Sequence, residues 1–281
     1  MIPERVGVIG GGRMGAGIAH AFALAGAQVV VVERDAEAAG AASTRVFEGL
    51  RHSIDRGTTQ RRVEDFALEF ATDAAALAGC GVVVEAVPED LDLKRAALAR
   101  AEAATGPEAV LATNTSSIPI GELAATLACP ERFLGLHFFN PVPASALVEI
   151  VVGAATDPAR VGDARAWVEA LGKTPVVVRD SPGFASSRLG LVLGLEAIRM
   201  LEEGVASAAD IDAAMELGYR HPVGPLKTTD LVGLDVRLGI AEQLHARLGD
   251  RFSPPDLLRR MVADGHLGRK TGRGFYEWSD K

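Results

Sequence analysis

A glycine-rich hexapeptide near the start of the chain constrains the possible folds more than any other feature. It follows the apolar run Val6–Ile9 and precedes an Ala-rich stretch with helical spacing of its apolar residues. This order predicts a strand, a tight turn and a helix, whose first N–H groups and partial positive charge attract phosphate. Three glycines occupy the positions that a dinucleotide-binding turn requires. The first allows the tight bend, the second lets the pyrophosphate approach the backbone, and the third permits close packing of the helix against the strand. The predicted cofactor-binding turn comprises Gly10, Gly11, Gly12, Arg13, Met14 and Gly15.

Short runs of β-branched residues alternate with Ala- and Leu-rich stretches through the first two thirds of the chain. Such apolar runs indicate a parallel sheet covered by helices on both faces. After the turn-forming segment Asp180–Gly183, strand-like runs nearly cease and long helical segments follow. We therefore predict an α/β Rossmann-type dinucleotide-binding domain over residues 1–182 and an all-α C-terminal domain over residues 183–281. The expected strands are Val6–Ile9, Val29–Val32, Val82–Ala86, Val110–Thr113, Leu134–Phe138, Val148–Val152 and Val176–Val178, and the expected helices are Ser187–Glu203, Ala208–Leu217, Leu231–Leu248 and Pro255–Asp264.

Two regions are expected to carry structure beyond this plan. The segment of residues 35–70, between the second and third expected strands, is long for a simple crossover, so we expect an inserted helical pair there. In the C-terminal region, Leu189–Leu201 is apolar around much of its circumference, and about 100 residues make only a thin core. We therefore predict that the C-terminal domain forms a homodimer through a large apolar interface.

The charge of the chain limits its partners. A formal net charge of -8 argues against nucleic acid or an anionic membrane surface, because phosphate binding usually needs a basic face. No stretch approaches the roughly 20 apolar residues that span a bilayer, and the N-terminus lacks a signal-peptide pattern. Cys80 and Cys129 are too few and too far apart for a disulfide framework or a zinc site, so no metal is expected. These features predict a soluble cytoplasmic protein that binds neither nucleic acid nor membrane.

A carboxylate, Glu33, follows the second expected strand. At this distance from the glycine turn a carboxylate can accept hydrogen bonds from both ribose hydroxyls and repel a 2′-phosphate. The neighbouring Arg34 could soften discrimination against NADP. We predict NAD as the cofactor, with Glu33 as a cofactor-binding residue.

Polar residues follow two expected strands, whose carboxyl ends meet at the edge where open α/β sheets bind ligands. One cluster is Asn114–Ser117, and the other includes His137. A lone histidine in an apolar strand is usually a core residue, but Glu149, inside the apolar run Leu147–Val152, would be costly to bury without a partner. A carboxylate on one ring nitrogen of His137 would fix its tautomer and leave the other nitrogen to take a proton. The pair therefore predicts a general base for alcohol oxidation beside a nicotinamide.

Six motifs in this order resemble those of the L-3-hydroxyacyl-CoA dehydrogenase family and together cover essentially the whole chain. They are GGGRMGAGIA from Gly10, VEAVPE from Val84, NTSS from Asn114, GLHFFNPVP from Gly135, DSPGF from Asp180 and KTGRGFY from Lys270. The last motif, together with PVGP from Pro222, resembles the short-chain 3-hydroxybutyryl-CoA type more than the sugar-acid dehydrogenases. The resemblance implies reversible, NAD-dependent oxidation of an L-3-hydroxyacyl-CoA to the 3-ketoacyl-CoA.

The resemblance also implies roles for individual residues. His137 is then the base and Glu149 its partner, while Ser116 and Asn140 line the substrate and the nicotinamide. The residues that match family positions at the cofactor are Glu89, Lys94, Ser116, Asn140 and Lys270.

Three positions depart from the family pattern. Ser187 stands where the family usually has an Asn, so its hydrogen bond to the substrate is shorter in reach or mediated by water. Gly49 stands where relatives often carry a Ser, and Arg56 where they often carry a Lys that meets the CoA phosphates. Arg56 keeps the charge and can bind phosphate bidentately, although a solvated charge on a helix face is an alternative interpretation.

Two other functions stay open. The chain could oxidise a free hydroxy acid, such as a sugar acid or carnitine, in which case Arg56 has no role. It could also be a non-catalytic, NAD-binding structural protein, which the joint presence of Ser116, His137, Asn140 and Glu149 disfavours.

Overall fold

The computed structural model describes residues 1–278 of the chain. The chain divides into two compact units, the first spanning Met1–Ser181 and the second beginning at Pro182. Each unit has its own cluster of buried apolar side chains. Within the described residues, no helix has the length and apolar character needed to cross a membrane.

One sheet of eight strands forms the centre of the first unit. The strands are β1 (Arg5–Ile9), β2 (Gln28–Val32), β3 (Leu68–Ala71), β4 (Val82–Glu85), β5 (Val110–Thr113), β6 (Phe133–Phe138), β7 (Leu147–Val152) and β8 (Thr174–Arg179). Their order is β3-β2-β1-β4-β5-β6-β7-β8. The direction of strand order reverses between β1 and β4, and open α/β sheets bind ligands at the carboxyl ends of the strands beside such a point.

Helices cover the sheet of the first unit. They are α1 (Arg13–Leu24), α2 (Ala36–Asp55), α3 (Leu91–Ala104), α4 (Ile120–Ala124) and α5 (Pro158–Ala170). Asp35 and Asp90 begin α2 and α3 as N-caps, each accepting a hydrogen bond from a backbone N–H of the first turn. Because helices pack on the sheet, consecutive residues of the central strands are buried, as Val30 and Val31 are in β2. The uninterrupted valine runs of β2 and β4 reflect this burial on two sides, whereas the valines of β8 are exposed or half-buried.

The predicted helical pair over residues 35–70 is wrong. The segment contains one α-helix, α2, followed by a short 3₁₀ turn at Val63–Asp65 and by strand β3, which pairs with β2 at the sheet edge. Gly57, with φ of 72°, follows the end of α2 in a conformation that a continued helix does not allow. Strand β3 is only four residues long and none of its residues is fully buried, so its apolar pattern is weak.

The sheet also differs from a purely parallel one at a single pair of strands. Strands β6 and β7 are antiparallel, whereas the other neighbouring pairs are parallel. The segment between them is too short for the crossover that two parallel strands require, so the chain reverses as a hairpin. This reversal places residues of the two strands directly opposite each other.

Among the described residues, the main secondary-structure elements of the second unit are five α-helices. They are α6 (Ser186–Glu202), α7 (Ala208–Gly218), α8 (Pro225–Val232), α9 (Leu234–Leu248) and α10 (Asp256–Ala263). The expected helix Leu231–Leu248 is broken at Gly233, whose φ of 104° is incompatible with a helix. Leu191, Leu195 and Leu226 lie in the core of this unit, while Leu189 and Val236 are exposed.

Candidate active site

The glycine turn between β1 and α1 has the backbone that a dinucleotide needs. Gly10 has φ of 90°, a conformation that L side chains rarely adopt. A side chain at Gly15 would overlap the carbonyl oxygen of Gly10, whereas the space beside Gly12 is open within 4 Å. The turn therefore combines close helix–strand packing with an unobstructed approach to the N-terminus of α1, which fits a pyrophosphate.

A cavity of about 720 Å³ lies at the carboxyl ends of the strands beside this turn. Five of the residues predicted to bind cofactor line one part of it, namely Gly10, Gly12, Arg13, Met14 and Glu33. Five further residues of the predicted site also line it, namely Glu89, Lys94, Ser116, His137 and Asn140. The structure thus gathers in one cavity residues that are far apart in the sequence.

Glu33 contacts the glycine turn directly. Its Oε1 accepts a hydrogen bond of 2.6 Å from the backbone N of Gly11, and its Oε2 accepts one of 3.2 Å from the backbone N of Arg34. The side chain of Arg34 is exposed and pairs with Asp35, with 3.0 Å between Nε and Oδ2. Gly11 itself packs against Ala42 of α2, so it supports the turn while its neighbours Gly10 and Gly12 line the cavity.

His137 and Glu149 are cross-strand partners in the antiparallel pair β6–β7. The Nδ1 atom of His137 lies 2.8 Å from Oε2 of Glu149, and both side chains are buried. Because a carboxylate only accepts hydrogen bonds, Nδ1 carries the proton and Nε2 is the basic nitrogen of the ring. The ring of Phe139 packs against the imidazole with 4.4 Å between centroids. The arrangement can accept a proton at Nε2 while the carboxylate stabilises the charged ring.

Asn114 is a cavity residue that sequence reasoning placed in a motif without giving it a role. Its Oδ1 accepts a hydrogen bond of 2.8 Å from the backbone N of Phe138, the residue after His137. Asn114 therefore joins the end of β5 to the end of β6, next to His137 in the sequence. Its position directly after a buried strand could have identified Asn114 as a site residue from the sequence.

Glu89 organises the loop of residues 114–117. Its Oε1 accepts hydrogen bonds from Thr115 Oγ1 at 2.6 Å, from Ser116 N at 2.9 Å and from Ser117 N at 3.0 Å. Burial alone would raise the pKa of Glu89, but the charge of Lys94 and these hydrogen bonds lower it overall. The loop that carries Ser116 is thus held by an ionised carboxylate.

Lys94 makes its contacts inside the protein. Its Nζ lies 2.9 Å and 3.1 Å from the two carboxylate oxygens of Glu85, 3.1 Å from the carbonyl oxygen of Val87 and 3.3 Å from Oε2 of Glu89. Sequence reasoning missed Glu85, which is fully buried at the end of β4 and also accepts a hydrogen bond of 2.6 Å from Thr113 Oγ1. The sequence could have indicated a buried partner for Glu85, because Glu85 ends an apolar strand just as Glu149 interrupts one.

Arg56 lines a second cavity in the first unit, of about 700 Å³, together with Gly49 and Lys173. The Nζ atom of Lys173 donates to the carbonyl oxygens of Val142 at 2.6 Å and of Ser145 at 2.5 Å, and burial lowers its pKa. Two cationic groups thus border a concave site, a combination suited to an anionic ligand.

Ser187 and Lys270, the remaining predicted residues, belong to the second unit. Ser187 lies in the first turn of α6. The Nζ atom of Lys270 is 2.6 Å from both carboxylate oxygens of Asp235, near the start of α9.

Comparison with known proteins gives two family matches that follow one another along the chain. Residues 5–181 match the model of the 3-hydroxyacyl-CoA dehydrogenase NAD-binding domain. Residues 183–278 match the model of the 3-hydroxyacyl-CoA dehydrogenase C-terminal domain. The matches together account for nearly all of the chain.

Individual relatives are similar over their full lengths. A 3-hydroxybutyryl-CoA dehydrogenase from Mycobacterium tuberculosis is 43% identical over 98% of this chain and 98% of its own length. One from Bradyrhizobium diazoefficiens is 42% identical over 98% of this chain and 95% of its own length. The crystal structure of an (S)-3-hydroxybutyryl-CoA dehydrogenase from Ralstonia eutropha superposes with a TM-score of 0.93 at 39% identity, covering 99% of this chain and 100% of that one.

Proposed function

Because the chain belongs to the 3-hydroxyacyl-CoA dehydrogenase family, we propose that it catalyses the reversible, NAD-dependent oxidation of an L-3-hydroxyacyl-CoA to the 3-ketoacyl-CoA. The expected substrate is 3-hydroxybutyryl-CoA, after the names of the relatives. The observation that carries the proposal is the buried His137–Glu149 pair, with 2.8 Å between Nδ1 and Oε2, at the cavity that contains the glycine turn. An alcohol oxidation needs this combination of a base and a hydride acceptor in one site.

The proposed catalytic step is proton removal by His137. Its Nε2 takes the proton of the substrate hydroxyl, and Glu149 stabilises the imidazolium that forms. Bound NAD⁺ supplies the acceptor for the hydride that leaves C3. Ser116 and Asn140 line the substrate and the nicotinamide, and in the reverse direction His137 returns the proton to the carbonyl oxygen.

We propose that the site prefers NAD to NADP because of Glu33. Its carboxylate is held against the glycine turn by the N–H of Gly11, where it can bind ribose hydroxyls and repel a 2′-phosphate. Arg34, the cation that could offset this repulsion, is paired with Asp35.

We propose that the second cavity binds the phosphates of CoA. Arg56 offers a guanidinium that can pair bidentately with a phosphate, and Lys173 adds a second positive charge to the same cavity. Gly49 also lines this cavity, and a Cβ at this position would be in ordinary contact with the ring of His20, at 3.5 Å. A free hydroxy acid would not use this cavity.

For the remainder of the chain we propose a dimerisation and substrate domain over residues 183–281, following a cofactor domain over residues 1–182. The exposed apolar side chains of α6 and α9, such as Leu189 and Val236, are suited to an interface with a second copy. Ser187 supports the substrate and Lys270 the cofactor in this proposal. A cytoplasmic location and the absence of nucleic-acid, membrane and metal partners remain predictions.

The experiment that tests this function is an assay of NADH formation with four alcohols. We expect turnover with 3-hydroxybutyryl-CoA and little with free 3-hydroxybutyrate, gulonate or carnitine. Faster turnover of a free hydroxy acid would replace the acyl-CoA substrate with that class. Binding of NADH without turnover of any of the four would indicate a non-catalytic protein.

A further inference from the structure

Three charged side chains form a cluster beneath the loop of residues 114–117, which we call the Glu85–Lys94–Glu89 triad. The ammonium of Lys94 lies between the two carboxylates, 2.9 Å from Oε1 of Glu85 and 3.3 Å from Oε2 of Glu89. Glu85 is 0% exposed and Lys94 is 1% exposed. The charges of Glu85 and Lys94 are therefore poorly screened by water.

The contacts of the triad are those of three ionised groups. The carboxylate of Glu85 is surrounded by donors, because Lys94, Thr113 Oγ1 and the N–H of Val87 all point at it. Burial raises the pKa of Glu85 overall, and Lys94 and the other donors limit that rise by stabilising the ionised carboxylate. With Glu89 also accepting from N–H and O–H donors, the triad carries a net charge of −1.

Two members of the triad, Glu89 and Lys94, line the same cavity as His137. Glu89 binds the backbone N of Ser116, and Ser116 lines the cavity together with His137. A hydride acceptor must lie beside the base that removes the proton, so the nicotinamide ring belongs near His137 and Ser116. The ring is cationic in NAD⁺ and neutral in NADH, which makes its binding sensitive to nearby fixed charge.

We propose that the net negative charge of the Glu85–Lys94–Glu89 triad makes the site bind NAD⁺ more tightly, relative to NADH, than it otherwise would. Both carboxylates are needed for the negative sign, because Lys94 is neutralised by either one alone, and Glu85 is the more deeply buried of the two. Glu85 thus acts through charge and through Lys94, without touching substrate or cofactor. The inference rests on the proposed assignment of this cavity to the cofactor.

Other charged residues of the cavity do not produce the difference between wild type and variants, and Arg100, which also lines the cavity, keeps its charge in all of them. Arg13, Glu33 and Arg34 lie at the glycine turn, beside the parts of the cofactor that are the same in both oxidation states. Their contributions to the binding of NAD⁺ and NADH therefore cancel in the ratio of the two dissociation constants. The charge of Glu149 acts in the same direction as the triad, and it is unchanged in the variants below.

The test measures the Kd of NADH from its fluorescence and the Kd of NAD⁺ by calorimetry on the full chain. In Glu85→Gln the triad becomes neutral, and we expect the ratio Kd(NAD⁺)/Kd(NADH) to rise roughly threefold to tenfold, the size of a unit-charge effect at protein dielectric constants. Glu89→Gln removes the same charge from a more exposed side chain and should raise the ratio in the same direction. It keeps the proposal testable if Glu85→Gln does not fold.

Two further variants separate charge from packing. The double variant Glu85→Gln/Lys94→Met keeps a net charge of −1 and should return the ratio to near the wild-type value. Glu102→Gln is the matched control, because Glu102 is also a largely buried carboxylate, paired with Arg132 at 3.6 Å, but does not line the cavity. Its ratio should equal that of the wild type.

An unchanged ratio in both Glu85→Gln and Glu89→Gln would overturn the inference, as would a double variant that behaves like Glu85→Gln. Failure of the wild-type chain to bind either form of the cofactor would instead overturn the proposed function. The two failures are thus distinguishable in the same experiment.

Discussion

Two buried carboxylates, Glu149 and Glu85, occupy similar places in the sheet and have partners of different chemistry. Glu149 lies opposite His137 on the neighbouring strand, and Glu85 holds Lys94 from the helix that follows its own strand. An imidazole can take up and release a proton near neutral pH, whereas an ammonium beside a carboxylate keeps its charge. The first pair is therefore suited to proton transfer and the second to a fixed charge.

The difference shows that a carboxylate in an apolar strand indicates a buried partner but not the purpose of the pair. The purpose follows from whether the partner can change its charge during the reaction. If this interpretation is correct, variants of the two pairs should affect different measurements.

His137→Ala should have the largest effect, a loss of about 10² to 10⁴ in kcat, because it removes the proposed general base. The affinity for NADH should be nearly unchanged, since the glycine turn and Glu33 remain. Steady-state kinetics and NADH fluorescence titration measure the two quantities. Near-normal turnover would remove the pair from the mechanism.

Glu85→Gln should have its main effect on stability. It leaves the ammonium of Lys94 buried with only Glu89 as a charged partner, and breaking a buried pair in this way typically costs about 3 kcal/mol or more. Urea unfolding, with Glu149→Gln as the comparison, measures the difference. Glu149→Gln should cost less, because His137 can remain neutral. Equal losses of free energy of unfolding would contradict the proposed difference between the two partners.

Glu149→Gln should lower kcat by about 10²-fold, close to the effect of Glu149→Ala, because the amide keeps the shape of the side chain but not its charge. Both Glu149→Gln and Glu149→Ala lose the negative charge that stabilises the imidazolium. The measurement is kcat with a short 3-hydroxyacyl-CoA. A Glu149→Gln enzyme with wild-type turnover would show that orientation of the ring, rather than charge, is what Glu149 supplies.

Much of the candidate site was predictable because it depends on local patterns. The glycine turn was recognised from its position between a strand and a helix, and the His137–Glu149 pair was expected from the cost of burying Glu149. The pairing itself depends on the antiparallel hairpin β6–β7, which the expectation of a parallel sheet did not include. A prediction of the partner was therefore possible without a prediction of the strand direction.

The parts that were missed depend on contacts between elements. The edge strand β3 has too few buried residues to give a strong pattern, and residues 35–70 were predicted as a helical pair instead. Glu85 carried the same signal as Glu149, but its partner Lys94 lies on a helix whose direction after β4 cannot be read from residue spacing. The resemblance assigned Lys94 to the cofactor, and its contacts with Glu85 became visible only in the structure.

Thr113→Val should have the smallest effect and separates geometry from charge in the triad. It removes the 2.6 Å hydrogen bond from Oγ1 to Glu85 but leaves every charge in place. Loss of a hydrogen bond to a charged group should lower the free energy of unfolding by about 1.5 to 3 kcal/mol, less than the loss in Glu85→Gln. Because the net charge is still −1, Kd(NAD⁺)/Kd(NADH) should not change. A ratio that rose in Thr113→Val as it does in Glu85→Gln would mean that the position of the loop, and not the charge of the triad, sets the preference for NAD⁺.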